Sequence, residues 1–272
     1  MKYHATLPEQ NHNVSHQKPM REFVTLLAAV VAIILLVYGV LGFFIDVAVN
    51  TISPEMEMAI YESVMSEEKP MSPPIAVDTT QLAIQALLSD LSQCMNVGFP
   101  ITLSYAESET PNAFAAPGGK MVVLSGLLEH IKSENGLAFV LAHELGHFKN
   151  RDHLRGMGRG VVLVALSFLA TGNAYLSKLL TPVNVFQNAQ FSQRRESDAD
   201  ATALEIIQCH YGHVAGATEF FETMVQPDED LPLTHYFQSH PEARARIKSI
   251  EQLSKEMGYS KGKVNPAFWL GS

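Results

Sequence analysis

The chain has few cysteines and few basic residues, and each shortage excludes a class of function. Cys94 and Cys209 are the only cysteines among 272 residues, so the chain has neither a cysteine pair at metal-binding spacing nor a disulfide framework. Lys and Arg number 19 against 28 Asp and Glu, and the net charge of −9 argues against nucleic-acid binding. Ser125 lacks the G-x-S-x-G context of a serine hydrolase. The spacing of the two cysteines does not decide whether they form a bridge.

Charged residues are also absent from residues 23–45, which read FVTLLAAVVAIILLVYGVLGFFI. A membrane-spanning helix needs about 20 predominantly apolar residues, so this segment is long enough to cross a bilayer with some tilt. A cleaved signal peptide would have an apolar core of roughly 7–15 residues and a small-residue cleavage site. This run is longer, and no clear A-x-A site follows it. We therefore expect a single uncleaved N-terminal membrane anchor.

Basic residues near the anchor predict its orientation. Lys2, Lys18 and Arg21 precede it, whereas the first Lys or Arg after it is Lys69. Short cytoplasmic segments beside a span carry an excess of Lys and Arg, so we expect the N-terminal tail in the cytoplasm and the remaining chain outside it. In a bacterium, this topology corresponds to the inner membrane with a periplasmic domain.

The chain after the anchor is expected to contain a stalk, a domain and a tail. The pair Pro73-Pro74 breaks any helix before the domain, and apolar residues recur at helical spacing from Thr80 onward. Residues 100–105 and 121–124 have strand-like composition among helical segments. We predict an α+β fold, with a mainly helical domain, a small β-sheet and an N-terminal transmembrane helix. The predicted segments are the cytoplasmic tail 1–22, the anchor 23–45, the stalk 46–79, the domain 80–258 and the C-terminal tail 259–272.

The motif H-E-L-G-H at 143–147 predicts a zinc site. On a helix, His143 and His147 project from one face, one turn apart, and two such imidazoles can hold one zinc ion per chain. Glu144 lies beside the first histidine and can accept a proton from a zinc-bound water as that water attacks a carbonyl. An accidental match is disfavoured because the preceding helical turn is apolar, and buried His and Glu without partners would be costly.

Two residues are candidates for the third ligand. His153 nearly completes the longer motif H-E-x-x-H-x-x-G-x-x-H, with Asn150 at the glycine position; Asn tolerates the left-handed conformation that the position requires. Glu196 is the other candidate, because an E-x-x-x-D pair places Glu196 and Asp200 on one helix face. Glu196 would then bind the metal, while Asp200 would orient a ligand histidine from behind.

The order of several motifs resembles the HtpX-like and CAAX-prenyl-protease-type family of zinc metallopeptidases. The resemblance covers about residues 80–253 and is more specific than the zinc motif alone. It implies a zincin-type metallopeptidase domain in which His143, His147 and Glu196 are the zinc ligands and Glu144 is the general base. The matching segments are N-A-F-A at 112–115, P-G-G at 117–119, H-E-L-G-H at 143–147, R-R-E-S-D-A-D-A at 194–201 and S-H-P-E-A-R-A-R-I at 239–247.

The same resemblance implies roles for residues around the ligands. His240 and Arg246 match its H-P-x-x-x-x-R element, where a side chain either stabilises the oxyanion or, in the case of the histidine, blocks the metal. Asn112 and Ala113 are expected on an edge strand that pairs with an extended substrate. His153 and Asp200 then become residues that support the site without binding the metal.

A second apolar run, Val161–Ala170, raises the question of another span. A single crossing there would place the two histidines and Glu196 on opposite sides of the membrane. Two crossings would need about 40 residues and a turn, and too few are available. We therefore expect no crossing, and interpret this run as a helix packed on the domain or against the membrane surface.

Two functions from different classes fit these features. The first is a membrane-anchored zinc endopeptidase that hydrolyses unfolded or misassembled envelope polypeptides. The second is a chaperone-like assembly factor that binds polypeptides on the same edge strand with little proteolysis. Metal-dependent fragmentation of a denatured substrate would distinguish the first from the second.

Overall fold

A computed structural model of the chain describes residues 19–65, 79–95, 100–171, 192–225 and 243–271. Of the predicted site residues, His240 lies outside these ranges. The chain divides into two compact units, residues 1–44 and residues 45–272. The helices and strands are α1 (Pro19–Val49), α2 (Pro54–Met65), α3 (Thr79–Cys94), β1 (Thr102–Ala106), β2 (Ala113–Ala116), β3 (Lys120–Leu124), α4 (Ser125–Glu129), α5 (Glu134–Lys149), α6 (Asp152–Thr171), α7 (Gln193–Tyr211), α8 (Glu219–Met224) and α9 (Ala243–Glu256).

Helix α1 contains the predicted anchor and extends beyond residues 23–45 at both ends. It reaches a mean hydropathy of 2.9, and in the described part of the chain it is the one helix long and apolar enough to cross a membrane. Helix α6 contains the second apolar run but does not reach this threshold. Its first two turns carry Asp152, Arg155 and Arg159, which lower its hydropathy.

Three short strands form one sheet in the order β1-β3-β2. Strand β1 is parallel to β3, whereas β2 is antiparallel to β3, with Ala113 opposite Val123. The turn between β2 and β3 contains Gly118 and Gly119 with φ of 75° and 70°, a conformation that residues with a Cβ rarely adopt. Strand β2 is thus an edge of the sheet, and the predicted combination of a mainly helical domain with a small sheet is confirmed.

Helix α5 forms the centre of the core, because every side chain from Asn135 to Phe148 is buried. The hydroxyl of Ser133 caps its N-terminus by accepting a hydrogen bond from the Gly136 N–H at 3.0 Å. Helices α3, α7 and α8 and strand β2 pack around it. The zinc motif therefore lies on a helix that has almost no contact with solvent.

A tight turn joins α5 to α6, and its left-handed residue is Arg151. The longer zinc motif assigned this role to Asn150, but Asn150 is right-handed, with φ of −84°. Arg151 has φ of 55°, a conformation that costs a non-glycine residue about 1–2 kcal/mol. Its guanidinium donates to the Val49 carbonyl at 3.0 Å, which holds the residue in place. The turn places Asp152 at the first position of α6.

Helix α7 crosses α5 at a very short distance. A Cβ at Gly146 would lie 2.9 Å from the Ala199 Cα and 3.1 Å from the Ala199 carbonyl oxygen. Glycine at 146 is therefore required for the backbones of α5 and α7 to approach as they do. A disulfide between Cys94 and Cys209 also ties α3 to α7, which answers the question that the cysteine spacing left open.

The segment expected to be a stalk contains α2, and a buried carboxylate attaches this helix to the rest of its unit. Glu57 Oε1 accepts a hydrogen bond from the Gly118 N–H at 3.1 Å and lies 2.8 Å from His153 Nε2. Burial alone would raise the pKa of Glu57, but His153 and the Gly118 N–H outweigh it and lower the pKa. Glu57 is therefore ionised at neutral pH.

The C-terminal tail returns to the beginning of α5. Pro266 forms an isolated antiparallel bridge with Ser133, and the Asn265 N–H donates to the Asn135 side chain at 2.8 Å. The indole N–H of Trp269 donates to the Leu128 carbonyl at 3.1 Å. These contacts hold the N-terminal end of the helix that carries the zinc motif.

Replacing Gly146 with Ala is expected to destabilise the domain, because the new methyl group would force α5 and α7 apart. Overpacking of this kind costs about 1–3 kcal/mol, so the thermal midpoint should fall by roughly 2–12 °C. Thermal unfolding followed by circular dichroism measures the change. Gly39→Ala in α1 is the matched control, since no described atom lies within 4 Å of its Cβ position. Equal midpoints for both variants would contradict the close approach.

Candidate metal centre

Helix α5 brings two imidazoles together at the centre of the domain. His143 Nε2 and His147 Nε2 are 3.1 Å apart, and the two side chains are 1% and 0% exposed. One turn of helix separates the residues, so both rings leave α5 on the same face. Two neutral ring nitrogens at this distance repel each other unless a proton or a cation lies between them.

Helix α7 supplies a carboxylate to the same point. Glu196 Oε2 lies 3.5 Å from His143 Nε2, and Glu196 Oε1 lies 3.5 Å from His147 Nε2. Ligand atoms of the three residues all lie within 4.8 Å of one another. Tetrahedral zinc with bonds of about 2.0–2.1 Å holds its ligand atoms about 3.3 Å apart. The donor types and their separations therefore fit one metal ion.

Each histidine has a carboxylate next to its Nδ1 atom. His147 Nδ1 lies 3.0 Å from Asp152 Oδ2, and His143 Nδ1 lies 3.0 Å from Asp200 Oδ1. When Nε2 of a histidine binds a metal, Nδ1 carries the proton, and a carboxylate that accepts this proton fixes the ring orientation. The sequence predicted this role for Asp200; the structure brings its carboxylate to His143, and the role itself stays a prediction.

Sequence reasoning assigned no role to Asp152. The available signal was a carboxylate five residues after the second histidine, at the start of the next helix. The near match to the longer zinc motif drew attention to His153 instead. His153 Nε2 contacts Glu57 in α2, and His153 does not belong to the three-residue metal group found among the described residues.

The carboxylates next to His147 favour positive charge on its ring. Burial alone would lower the pKa of His147, but hydrogen bonds with Asp152 and Glu196 outweigh it and raise the pKa to about 10. Burial would likewise raise the pKa of Asp200, but Arg246 and His143 hold it below its usual range. The surroundings of the two imidazoles are therefore strongly attractive to a cation.

Arg246 of α9 binds both carboxylates of the E-x-x-x-D pair. Its Nη1 lies 2.6 Å from Glu196 Oε2, and its Nε and Nη2 donate to the two oxygens of Asp200 at 2.9 and 2.5 Å. The guanidinium also stacks over the Phe221 ring, 4.3 Å from the centroid. Arg246 thus holds Glu196 in the orientation that faces the histidines.

The balance of charge around the site matches a divalent cation. Four carboxylates and two guanidinium groups surround the imidazoles, which leaves two negative charges in excess when the histidines are neutral. Buried charge without compensation is costly, so a dication stabilises this arrangement. The six charged groups are Glu144, Asp152, Glu196, Asp200, Arg195 and Arg246.

The predicted general base lies at the edge of the sheet. Glu144 is 1% exposed, and its Oε2 accepts a hydrogen bond from the Ala115 N–H at 3.2 Å. Ala115 belongs to β2, in which Ala113 pairs with Val123. Asn112 directly precedes this strand, and its carbonyl accepts a hydrogen bond from the Leu124 N–H at 3.0 Å.

Comparison with known proteins identifies one family and several relatives. The model of Peptidase family M48 matches residues 78–254, which confirms the predicted resemblance. The mitochondrial metalloendopeptidase OMA1 of Schizosaccharomyces pombe is 29% identical over 212 residues, covering 77% of this chain and 63% of that protein. A Protease HtpX homolog of Persephonella marina is 29% identical over 210 residues, covering 60% of this chain and 72% of that protein.

A third relative differs more in length. The Beta-barrel assembly-enhancing protease of Yersinia pestis is 26% identical over 171 residues, which is 58% of this chain and 35% of that protein. This chain therefore spans less than two thirds of the OMA1 relative and about one third of the Yersinia protein.

Proposed function

The chain belongs to peptidase family M48 and is a metallopeptidase, and we propose that His143, His147 and Glu196 hold a catalytic zinc ion in a membrane-anchored endopeptidase. The observation that carries the proposal is the close grouping of buried ligand atoms: the two Nε2 atoms are 3.1 Å apart, and each lies 3.5 Å from one oxygen of Glu196, Oε2 for His143 and Oε1 for His147. Three protein ligands leave the fourth tetrahedral position open for water, as catalytic zinc sites do.

Glu144 is the general base in this proposal. Zinc, when bound, lowers the pKa of a water at the open position and polarises the substrate carbonyl. Glu144 would take a proton from the attacking water and pass it to the leaving amine. The Ala115 N–H holds the carboxylate at one orientation, and burial of Glu144 excludes bulk water from its surroundings.

The substrate is an extended polypeptide that pairs with β2. This strand is the edge of the sheet, and its Ala115 N–H points away from β3 toward Glu144. A segment added beside Asn112 and Ala113 would gain backbone hydrogen bonds and place its own peptide bonds next to the base. Backbone pairing accepts many sequences, which suits unfolded substrates. The relatives above are named as proteases, so the chaperone-like alternative is not favoured.

Replacing Glu144 with Gln is expected to retain zinc and to reduce cleavage of a denatured polypeptide by about 10²–10⁴-fold, because the amide cannot accept the water proton. Zinc content by atomic absorption and fragment formation on gels are measured on the same preparation. Glu129→Gln, at an exposed position of α4, is the matched control. Undiminished cleavage by Glu144→Gln would reject the mechanism. Suppressed aggregation without cleavage by the wild-type protein would favour the assembly factor.

His240 is the oxyanion-stabilising residue in this proposal. Arg246, the other candidate, is 6% exposed, and its N–H groups are directed at the carboxylates of Glu196 and Asp200. His240→Ala is expected to reduce kcat by about 10²–10³-fold with zinc content unchanged. A rise in activity would show instead that His240 blocks the metal.

The proposed location is the bacterial inner membrane, with the peptidase domain in the periplasm and misassembled envelope proteins as substrates. The excess of Lys and Arg before α1 supports this orientation. The disulfide between Cys94 and Cys209 supports it independently, since such bonds persist in oxidising compartments. The name of the Yersinia relative, a Beta-barrel assembly-enhancing protease, supports the substrate class.

A C-terminal alkaline phosphatase fusion tests the orientation, because this reporter folds only where its own disulfides form. We expect an active fusion to the full chain. A fluorescent protein that is exported in the unfolded state does not mature. A fusion of this reporter at the same junction is therefore expected to show no fluorescence. The reverse pair of results would place the domain in the cytoplasm.

A further inference from the structure

The carboxylate behind His147 is itself held by an arginine. Asp152 is 1% exposed, and its two oxygens face different partners: Oδ2 lies 3.0 Å from His147 Nδ1, and Oδ1 lies 3.2 Å from Arg195 Nε. Arg195 directly precedes Glu196 in α7. One arginine thus connects the helix that supplies the third ligand with the carboxylate that orients the second.

Arg195 also contacts the end of α1. Its Nη2 lies 3.5 Å from Asp46 Oδ1, and Asp46 is the first charged residue after the apolar segment. Asp46 belongs to the same compact unit as the metal centre, since this unit begins at Ile45. The side chains of Asp46 and Arg195 are 33% and 19% exposed, so the contact is partly shielded from solvent.

Two further arginines fix Asp46 in place. Arg155 Nη1 lies 3.2 Å from Asp46 Oδ1, and Arg159 Nη2 lies 2.8 Å from Asp46 Oδ2. Arg155 also donates to the Asp46 carbonyl at 2.8 Å and to the Asn50 side chain at 2.7 Å. These cations lie at the C-terminal end of α1, where the helix dipole is negative. Asp46 is therefore a fixed anion that joins α6 to α7.

We propose that Arg195 is a positioning residue for the metal centre. Through its contact with Asp152, Arg195 couples the orientation of the His147 ring to the position of Asp46 at the end of the membrane helix. Asp46 contacts Arg195, Arg195 contacts Asp152, and Asp152 contacts His147. Without the guanidinium, the buried Asp152 oxygen loses its compensating charge, and the carboxylate no longer keeps the imidazole in one orientation. The inference rests on the proposed zinc site.

Arg195→Gln is expected to weaken zinc binding by about 10–100-fold, the usual effect of removing a group that supports a metal ligand. Zinc affinity is measured by competition with a chromogenic chelator, on the full chain in detergent. Arg194→Gln is the matched control, because the neighbouring Arg194 side chain is 91% exposed and lies 4.0 Å from Asp198. Asp152→Asn removes the link one step closer to the metal and is expected to weaken zinc binding at least as much.

The part played by Asp46 is tested by combining variants. Asp46→Asn is expected to weaken zinc binding in the wild-type background and to have no further effect in the Arg195→Gln background, because both changes break one pathway. Losses that add in the double variant would overturn the pathway through Arg195. The visible absorption of the cobalt-substituted protein provides a second readout, and a shift of its bands is expected for Arg195→Gln and not for Arg194→Gln.

Several outcomes separate this inference from the proposed zinc site. Equal zinc affinity and equal cobalt spectra for Arg195→Gln and Arg194→Gln would overturn the positioning role while leaving the zinc site intact. Failure of the wild-type chain to bind zinc would instead reject the site itself. If Arg195→Gln does not fold, Arg195→Lys replaces it: the retained charge is expected to preserve folding, while loss of the planar guanidinium still shifts the cobalt bands. Unshifted bands in Arg195→Lys, with wild-type zinc affinity, would overturn the inference.

Discussion

The backbone of α7 at Ala199 lies so close to Gly146 that no side chain fits between the two helices. This contact controls the geometry of the metal centre, since Gly146 separates Leu145 from His147 on one helix and Ala199 lies one turn after Glu196 on the other. At a larger separation, the Glu196 carboxylate would not reach the imidazoles at 3.5 Å. The short distance between two rigid helices therefore sets the distances among the three ligand atoms.

Buried negative charge is the second constraint, and it explains why the site is surrounded by arginines. Helices α5, α6 and α7 place four carboxylates around two imidazoles, and none of these carboxylates is more than 3% exposed. Arg246 compensates one side and Arg195 the other, but two negative charges remain. A bound dication would complete the balance, and its binding and folding would then stabilise each other. Charge compensation also explains the ion pairs farther from the imidazoles, in which Arg195 contacts both Asp152 and Asp46.

Much of the candidate site followed from local patterns. The i, i+4 spacing placed both histidines on one helix face, and the apolar positions around them predicted a buried helix. The order of motifs predicted Glu196, Asp200 and Arg246 as neighbours of the histidines, and the structure brings all three to that point. Arg195 and Glu57 were not predicted, because their partners lie 43 and 96 residues away and no short motif contains both members. Asp152 lies only 5 residues after His147, but it occupies an unspecified position of the longer zinc motif, which pointed to His153 instead.

Local patterns predict the chemistry of this chain: a charge-free apolar helix, two imidazoles and a glutamate at helical spacing, and membership of a metallopeptidase family. Helical periodicity and motif spacing are properties of neighbouring residues, so they can be read without a fold. Three features appear only in the folded chain: which carboxylate contacts each histidine, the bond between Cys94 and Cys209, and the contact between the last turn of α1 and Arg195. These pairs form because the packing of α1, α3, α5, α6 and α7 brings residues that are distant in sequence into contact, and packing depends on the whole chain.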